Sequence, residues 1–166
     1  HTAKLIEVYA AYEVQCQREG VVDFGELMLR CYELMRDNDP VREHYRRRFA
    51  HVLVDEFQDT DPLQAELLLL LAADEQADAG TPAVERRVRP GALFIVGDPK
   101  QSIYRFRRAD VGVYRAICAR LGAEGARRVR LRTSFRSVPA IQRAVNAAFS
   151  THMTGDRASL QADYVE

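Results

Sequence analysis

Three polar blocks, each fed by an apolar stretch, carry the groups in this chain that could do chemistry. The first is His51-Val52-Leu53-Val54-Asp55-Glu56-Phe57-Gln58-Asp59-Thr60. Paired carboxylates at the C-terminal tip of a buried strand stand where open α/β sheets place their ligands. Of such a pair, Asp55 can hold Mg²⁺ while Glu56 orients or deprotonates a water that attacks a phosphate. Mg²⁺ needs only one or two protein carboxylates when phosphate oxygens fill its other positions. A strand running into an acidic helix N-cap has the same appearance, and Asp55-Glu56 alone does not separate the two readings.

The second block is Val96-Gly97-Asp98-Pro99-Lys100-Gln101-Ser102-Ile103-Tyr104-Arg105-Phe106-Arg107. Gly97 permits a sharp turn. The Gln101 amide can both donate and accept, so it can report a terminal phosphate or a metal-bound water. Tyr104 and Phe106 alternate with Arg105 and Arg107, the pattern of a platform on which rings stack on bases and guanidiniums meet phosphates. Two core aromatics would give the same alternation. The third block runs from Arg130 to Ser137 and ends Phe135-Arg136-Ser137. Arg136 could reach across a cleft to a γ-phosphate, or it could lie on the surface as most single arginines do.

Something must position these blocks. Leu5, Val8, Tyr9, Tyr12 and Cys16 recur at helical spacing and predict a helix over about Ala3 to Arg18. Asp23 with Glu26 reads as a capping box opening a second helix, with Phe24, Leu27, Met28, Cys31 and Leu34 as its buried face. Pro40 opens a third, basic helix to about Phe49. His51 to Val54 and Ala92 to Val96 read as buried strands. Asp61-Pro62 starts a helix that is apolar nearly all round and should be deeply packed. Residues 74–91 read as a surface insertion. A helix is expected from Val111 to Leu121, a third strand over Val129 to Leu131, and a final helix from Pro139 to Phe149. From Thr151 the tail reads as unfinished structure.

The 166 residues are 47% hydrophobic and 29% charged, which suits a globular domain and excludes a disordered tail. No apolar run approaches the roughly 20 residues that span a bilayer, so no membrane partner is expected. Cys16, Cys31 and Cys118 are odd in number and widely spaced; they read as buried small hydrophobes in a reducing, cytoplasmic setting. The chain begins at His1 and reads as a piece of something longer. Charge is balanced overall at 24 basic and 24 acidic residues, yet Lys100 to Arg136 holds eleven basic residues against Asp110 and Glu124. Such a local excess favours polyanions.

Taken together, the blocks resemble superfamily 1 DNA helicases of the UvrD/Rep type. Asp55-Glu56-Phe57-Gln58-Asp59-Thr60 is similar to their Walker B block, motif II; Gly97 to Arg107 resembles motif III; Thr133-Ser134-Phe135-Arg136-Ser137 resembles motif IV. Asp23-Phe24-Gly25-Glu26-Leu27 looks like the block that precedes motif II. The Asp98-Pro99-Lys100-Gln101 form, with Phe106 where those helicases carry tryptophan, is closer to the RecB/AddA-like helicase–nuclease branch. Order and spacing agree from about Ala3 to Phe149.

The resemblance implies an α/β fold: part of a RecA-like P-loop NTPase lobe, a parallel sheet flanked by helices, with the start of a second lobe. Residues 1–50 would be a helical segment of the first motor lobe, 51–132 the core with motifs II and III, and 133–166 motif IV and the opening of the second lobe. ATP and Mg²⁺ are the implied cofactors, and single-stranded and duplex DNA the partners, with a nuclease or helicase subunit possible beside them. Asp55 would bind the metal and Glu56 activate water. Gln101 would sense the γ-phosphate, Phe135 lie on the adenine and Arg136 touch the γ-phosphate. Tyr104 and Phe106 would stack on bases with Arg107 near the backbone, and Gln58 would join motifs II and III. Arg108 stands where the family usually has glycine, and Ser134 where asparagine is commonest. No Gly-x-x-x-x-Gly-Lys-Ser/Thr loop occurs in these residues, so the chain alone is expected to be nearly inactive. Two other classes remain open: a non-catalytic DNA-binding or assembly module, and a metal-dependent nuclease built on Asp55, Glu56, Asp59 and Asp98.

Overall fold

The computed structural model describes residues 2–74, 81–131, 133 and 135–153. Among these described residues, six α-helices and two strands follow in the order α1 (Thr2–Glu19), α2 (Phe24–Asp37), α3 (Asp39–Arg48), β1 (Val52–Val54), α4 (Pro62–Ala72), β2 (Leu93–Ile95), α5 (Val111–Ala123) and α6 (Pro139–Phe149). The strands pair in parallel, Val52 opposite Leu93, Leu53 opposite Phe94 and Val54 opposite Ile95. The architecture is therefore α/β, and the parallel pairing brings the C-terminal ends of β1 and β2 side by side.

Helix boundaries follow from capping chemistry. Asp23 accepts the Glu26 N–H at 2.8 Å, and that bond, with one from the Tyr12 hydroxyl, holds its carboxyl below the usual range. The expected capping box is only half made, because the Glu26 carboxylate turns to Arg30 at 2.7 Å. The full box belongs to α4, where Asp61 accepts the Gln64 N–H at 2.9 Å and the Gln64 side chain accepts the Asp61 N–H at 3.3 Å.

Helix α4 is the hub. Because it is apolar nearly all round, consecutive leucines serve different clusters: Leu69 packs with Phe57, Ala65, Tyr114 and Ile117, while Leu70 packs with Met35 and Ala83. Buried arginines tie the helix ends together. Arg42 donates to the carbonyls of Met35 and Arg36 at 2.9 and 2.8 Å, closing the end of α2, and pairs with Asp39. Arg46 donates to the Ala73 carbonyl just beyond α4 and pairs with Glu43. Guanidiniums suit this work because one rigid fork satisfies several terminal carbonyls at once.

Several expectations are corrected. The strands are not buried on both faces: Leu53 and Phe94, neighbours in register, are 75% and 62% exposed, since the helices cover only the other face. The face predicted to bury α1 is exposed, and in α2 it is Met35, not Phe24, Leu27 or Leu34, that reaches the core. Cys31 is exposed and Cys16 and Cys118 are half-buried. Val129 to Leu131 is not a strand, having no strand to pair with among the described residues. The insertion is partly built in: Ala83 and Arg86 are buried, and Val88 bridges to Ala73. Arg86 donates to the Thr81 carbonyl at 2.8 Å, and burial followed by the Arg42 and Arg46 charges pushes its pKa down. Residues 75–80 of that insertion, Arg132, Ser134 and the tail from residue 154 lie outside the described residues. No described helix is long and apolar enough to cross a membrane.

Leu70 is fully buried, so Leu70→Ala should cost about 2–5 kcal/mol and Leu70→Met less than about 1.5 kcal/mol. Urea unfolding midpoints of the two variants check the difference; equal losses would mean that Leu70 fills no tight space.

Candidate functional site

The tips of β1 and β2 are where the first two blocks meet. After β1 the chain reverses at Glu56, which adopts φ +52 and ψ +37, the left-handed region. A non-glycine residue there costs roughly 1–2 kcal/mol. The reversal turns Phe57 and Gln58 inward as a 3₁₀ turn, Phe57–Asp59, and leaves Asp55 and Glu56 exposed. The Asp55 Oδ1 accepts the Glu56 N–H at 2.9 Å. The Phe57 N–H donates to the Val96 carbonyl at 3.0 Å, locking the turn to the end of β2.

Gln58 is the organising side chain, with 1% of its surface exposed. Its Nε2 donates to Glu56 Oε2, and its Oε1 accepts the Asp98 N–H at 2.9 Å. Its backbone carbonyl accepts the Ser102 hydroxyl at 3.1 Å. Asp98 continues the chain: Oδ1 accepts the Lys100 N–H at 3.0 Å and Oδ2 accepts the Gln101 amide at 3.1 Å. Glu56, Gln58, Asp98 and Gln101 thus form one unbroken hydrogen-bonded series across both strand tips. Glycine is required at position 97, since a Cβ there would stand 2.8 Å from Gln58 Oε1 and 3.0 Å from Tyr114 Cε2.

Beyond Gln101 the chain forms the loop that carries the alternating rings. Phe106 is 81% exposed and Tyr104 37%, which removes the core reading of both. Their centroids are 5.8 Å apart, and the Arg107 guanidinium lies 5.4 Å from the Tyr104 ring centre. Arg108 takes φ +68, the left-handed conformation that glycine favours, and its N–H closes the turn on the Arg105 carbonyl at 3.0 Å. A left-handed turn that glycine would adopt freely is thus made here by an arginine. Asp110 then caps α5 through the Gly112 N–H at 2.7 Å. On α5, the Tyr114 hydroxyl donates to the Gly97 carbonyl at 3.2 Å, and burial pushes that phenol up to about 12, keeping it a donor.

Phe135 and Arg136 stand apart. Phe135 is 93% exposed and Arg136 is exposed, and they precede α6 without a hydrogen bond to either strand tip among the described residues. Glu56 and Gln101 are joined through Gln58 and Asp98, and Asp55 bonds the Glu56 N–H, whereas Arg136 has no hydrogen bond to this series among the described residues. Composition and motif spacing missed Tyr114 and the Gly97 clearance. A tyrosine in an apolar helix stripe gives no hint that its hydroxyl ends on a loop carbonyl.

Residues 1–120 match the UvrD/REP helicase N-terminal domain. The chain belongs to that family. It is 41% identical over 142 residues to DNA helicase II of Escherichia coli (strain K12), an alignment covering 85% of this chain and 17% of that protein. Against DNA helicase II of Haemophilus influenzae it is 35% identical over 141 residues, again 85% and 17%. Against an ATP-dependent helicase/nuclease subunit of Bacillus cytotoxicus it is 33% identical over 156 residues, covering 87% and 12%. Both branches named by the motifs are thus represented, and the chain spans less than one-fifth of the length of these relatives. Phe135 and Arg136 lie beyond the family match.

Among the described residues no three His, Cys, Asp or Glu side chains gather to hold a metal ion, so the carboxylate cage of a two-metal nuclease is not assembled. A single exposed carboxylate such as Asp55 does fit Mg²⁺ that takes its other oxygens from a nucleotide.

The tight contact at position 97 can be tested directly. Gly97→Ala should cost about 1–3 kcal/mol, and less in a Gln58→Ala background, where the clashing amide is gone. A double-mutant cycle of unfolding free energies measures this; strictly additive losses would deny that the two residues press on one another.

Proposed function

We propose that this chain is the portion of an ATP-dependent DNA helicase that couples the hydrolytic centre to the path of a single strand. It would form part of a RecA-like first motor lobe, with residues 133–166 opening the second. The observation that carries this reading is the hydrogen-bonded series from Glu56 through Gln58 and Asp98 to Gln101, which continues into a loop bearing the exposed Phe106 ring. It provides a physical route by which a change at a phosphate moves a base-stacking platform.

In this reading Asp55 holds Mg²⁺, which supplies positive charge against the phosphate oxygens. Glu56 orients the attacking water and takes its proton, through the carboxylate oxygen that Gln58 leaves free. Gln101 senses the terminal phosphate. Tyr104 and Phe106 stack on bases while Arg107 meets the backbone. Phe135 and Arg136 belong to the adenine and γ-phosphate contacts of the closed cleft, and they reach them by motion of the second lobe. Residues 1–166 contain no phosphate-binding loop, so the chain by itself should hydrolyse little ATP. The work of the full-length protein on single-stranded and duplex DNA in repair or recombination, with any nuclease or partner subunit, is proposed on the same footing. The names of the relatives, DNA helicase II and ATP-dependent helicase/nuclease, support it.

In the full-length protein, Glu56→Gln should lower DNA-stimulated ATP hydrolysis by roughly 10²- to 10⁴-fold, the usual weight of a general base, while nucleotide still binds. Steady-state turnover beside equilibrium nucleotide titration checks this, and near-normal turnover would remove Glu56 from its role. Phe106→Ala should cost roughly 1–3 kcal/mol of single-strand affinity and reduce unwinding more than DNA-free hydrolysis. Equal reductions in the two activities would mark Phe106 as merely structural.

A further inference from the structure

We infer that Tyr114 is a positioning residue that sets how strongly DNA stimulates ATP hydrolysis, acting through the Gly97 peptide rather than by touching nucleotide or DNA. The inference rests on the proposed function of the strand tips and goes beyond it to a residue on α5. The Tyr114 hydroxyl donates to the Gly97 carbonyl at 3.2 Å. That carbonyl belongs to the very peptide whose other end, the Asp98 N–H, donates to Gln58 Oε1 at 2.9 Å. A peptide unit is planar, so fixing its carbonyl fixes the direction of its N–H. One phenol therefore aims the donor that completes the series between Glu56 and Gln101.

The surroundings of Tyr114 point the same way. Its ring packs 5.9 Å from that of Phe57, the residue immediately before Gln58, and its Cε2 closes the space above Gly97. Helix α5 starts at Val111, directly after the loop that carries Tyr104 and Phe106, and its first turn leads to Tyr114, whose N–H donates to the Asp110 carbonyl at 3.1 Å. A displacement of the ring-bearing loop pulls on the N-terminus of α5 and so on the phenol. The Gly97–Asp98 peptide then turns with it, and the Asp98 N–H moves against the Gln58 amide. Tyr114 thus gives the loop a second connection to Gln58, in parallel with the one through Gln101 and Asp98.

The test is Tyr114→Phe in the full-length protein, which keeps the ring and removes the single donor. ATP turnover is measured with and without a saturating oligothymidylate, together with the thermal unfolding midpoint. The ratio of DNA-stimulated to DNA-free turnover should fall about tenfold, the weight of one buried hydrogen bond whose acceptor is left unpaired. Tyr114→Leu, which also removes the ring, should show the same lowered ratio along with a lower unfolding midpoint. A ratio unchanged in Tyr114→Phe, or lost only in step with the unfolding midpoint across both variants, overturns the inference. Glu56→Gln in the same assay separates the two levels. If it retains turnover, the reading of the site itself fails. If it is inactive while Tyr114→Phe is stimulated normally, only the role of Tyr114 fails.

Discussion

The Gln58 amide sits in a space with almost no solvent, and each end is engaged by a different strand tip. A buried amide that loses a partner costs about 1–3 kcal/mol, so the geometry around it is strongly constrained. Its donor end must find the Glu56 carboxylate and its acceptor end the Asp98 N–H. Gly97 must be bare, because the amide occupies the place a Cβ would take. Parallel pairing of β1 with β2 is what sets those partners side by side. The rest of the site follows from satisfying this one polar group.

That constraint holds only if β1 is seated firmly, and the seat is built by the helices around α4. Leu69 reaches the cluster beneath the strand tips, and Leu70 reaches the one shared with α2 and residues 83–85. The buried guanidiniums of Arg42 and Arg46 are placed where helices end, so their charge is spent on carbonyls that would otherwise be unpaired. Each also keeps a carboxylate partner at its entrance, Asp39 and Glu43. The outer face of the sheet, with Leu53 and Phe94 exposed side by side, takes no part in this frame.

Much of this was legible in the residues, and the reasons for the exceptions are physical. Caps and breakers placed most helices within a residue or two, because Asp23, Pro40, Asp61-Pro62 and Pro139 act locally. Motif order located the carboxylates, Gln58, Gln101 and the ring-bearing loop. Burial was read less well. Periodicity identifies an apolar face but not what covers it, so the stripe on α1 and Phe24 on α2 were expected inside and are exposed. Leu131 lies in a run that looks like a strand, yet a strand exists only by pairing. Tyr114 was invisible for a similar reason: its role is a contact across 17 residues of chain, and no local pattern encodes it.

Among the described residues, the two non-glycine residues in left-handed conformation, Glu56 and Arg108, bracket the hydrogen-bonded series and the ring-bearing loop. Each costs roughly 1–2 kcal/mol, and such strain persists only where surrounding contacts over-determine the backbone. At Glu56 those contacts are evident: the Asp55 carboxylate on its N–H, the Gln58 amide on its side chain and the Phe57 N–H on Val96. At Arg108 the support is thinner, a closed turn on Arg105 with the Ala109 N–H on the Tyr104 carbonyl at 3.3 Å. Among the described residues the backbone at Glu56 is thus held by contacts from both strand tips, and that at Arg108 by its own turn alone. The hydrogen-bonded series joins the first of these turns to the segment that leads into the second, which carries Tyr104 and Phe106.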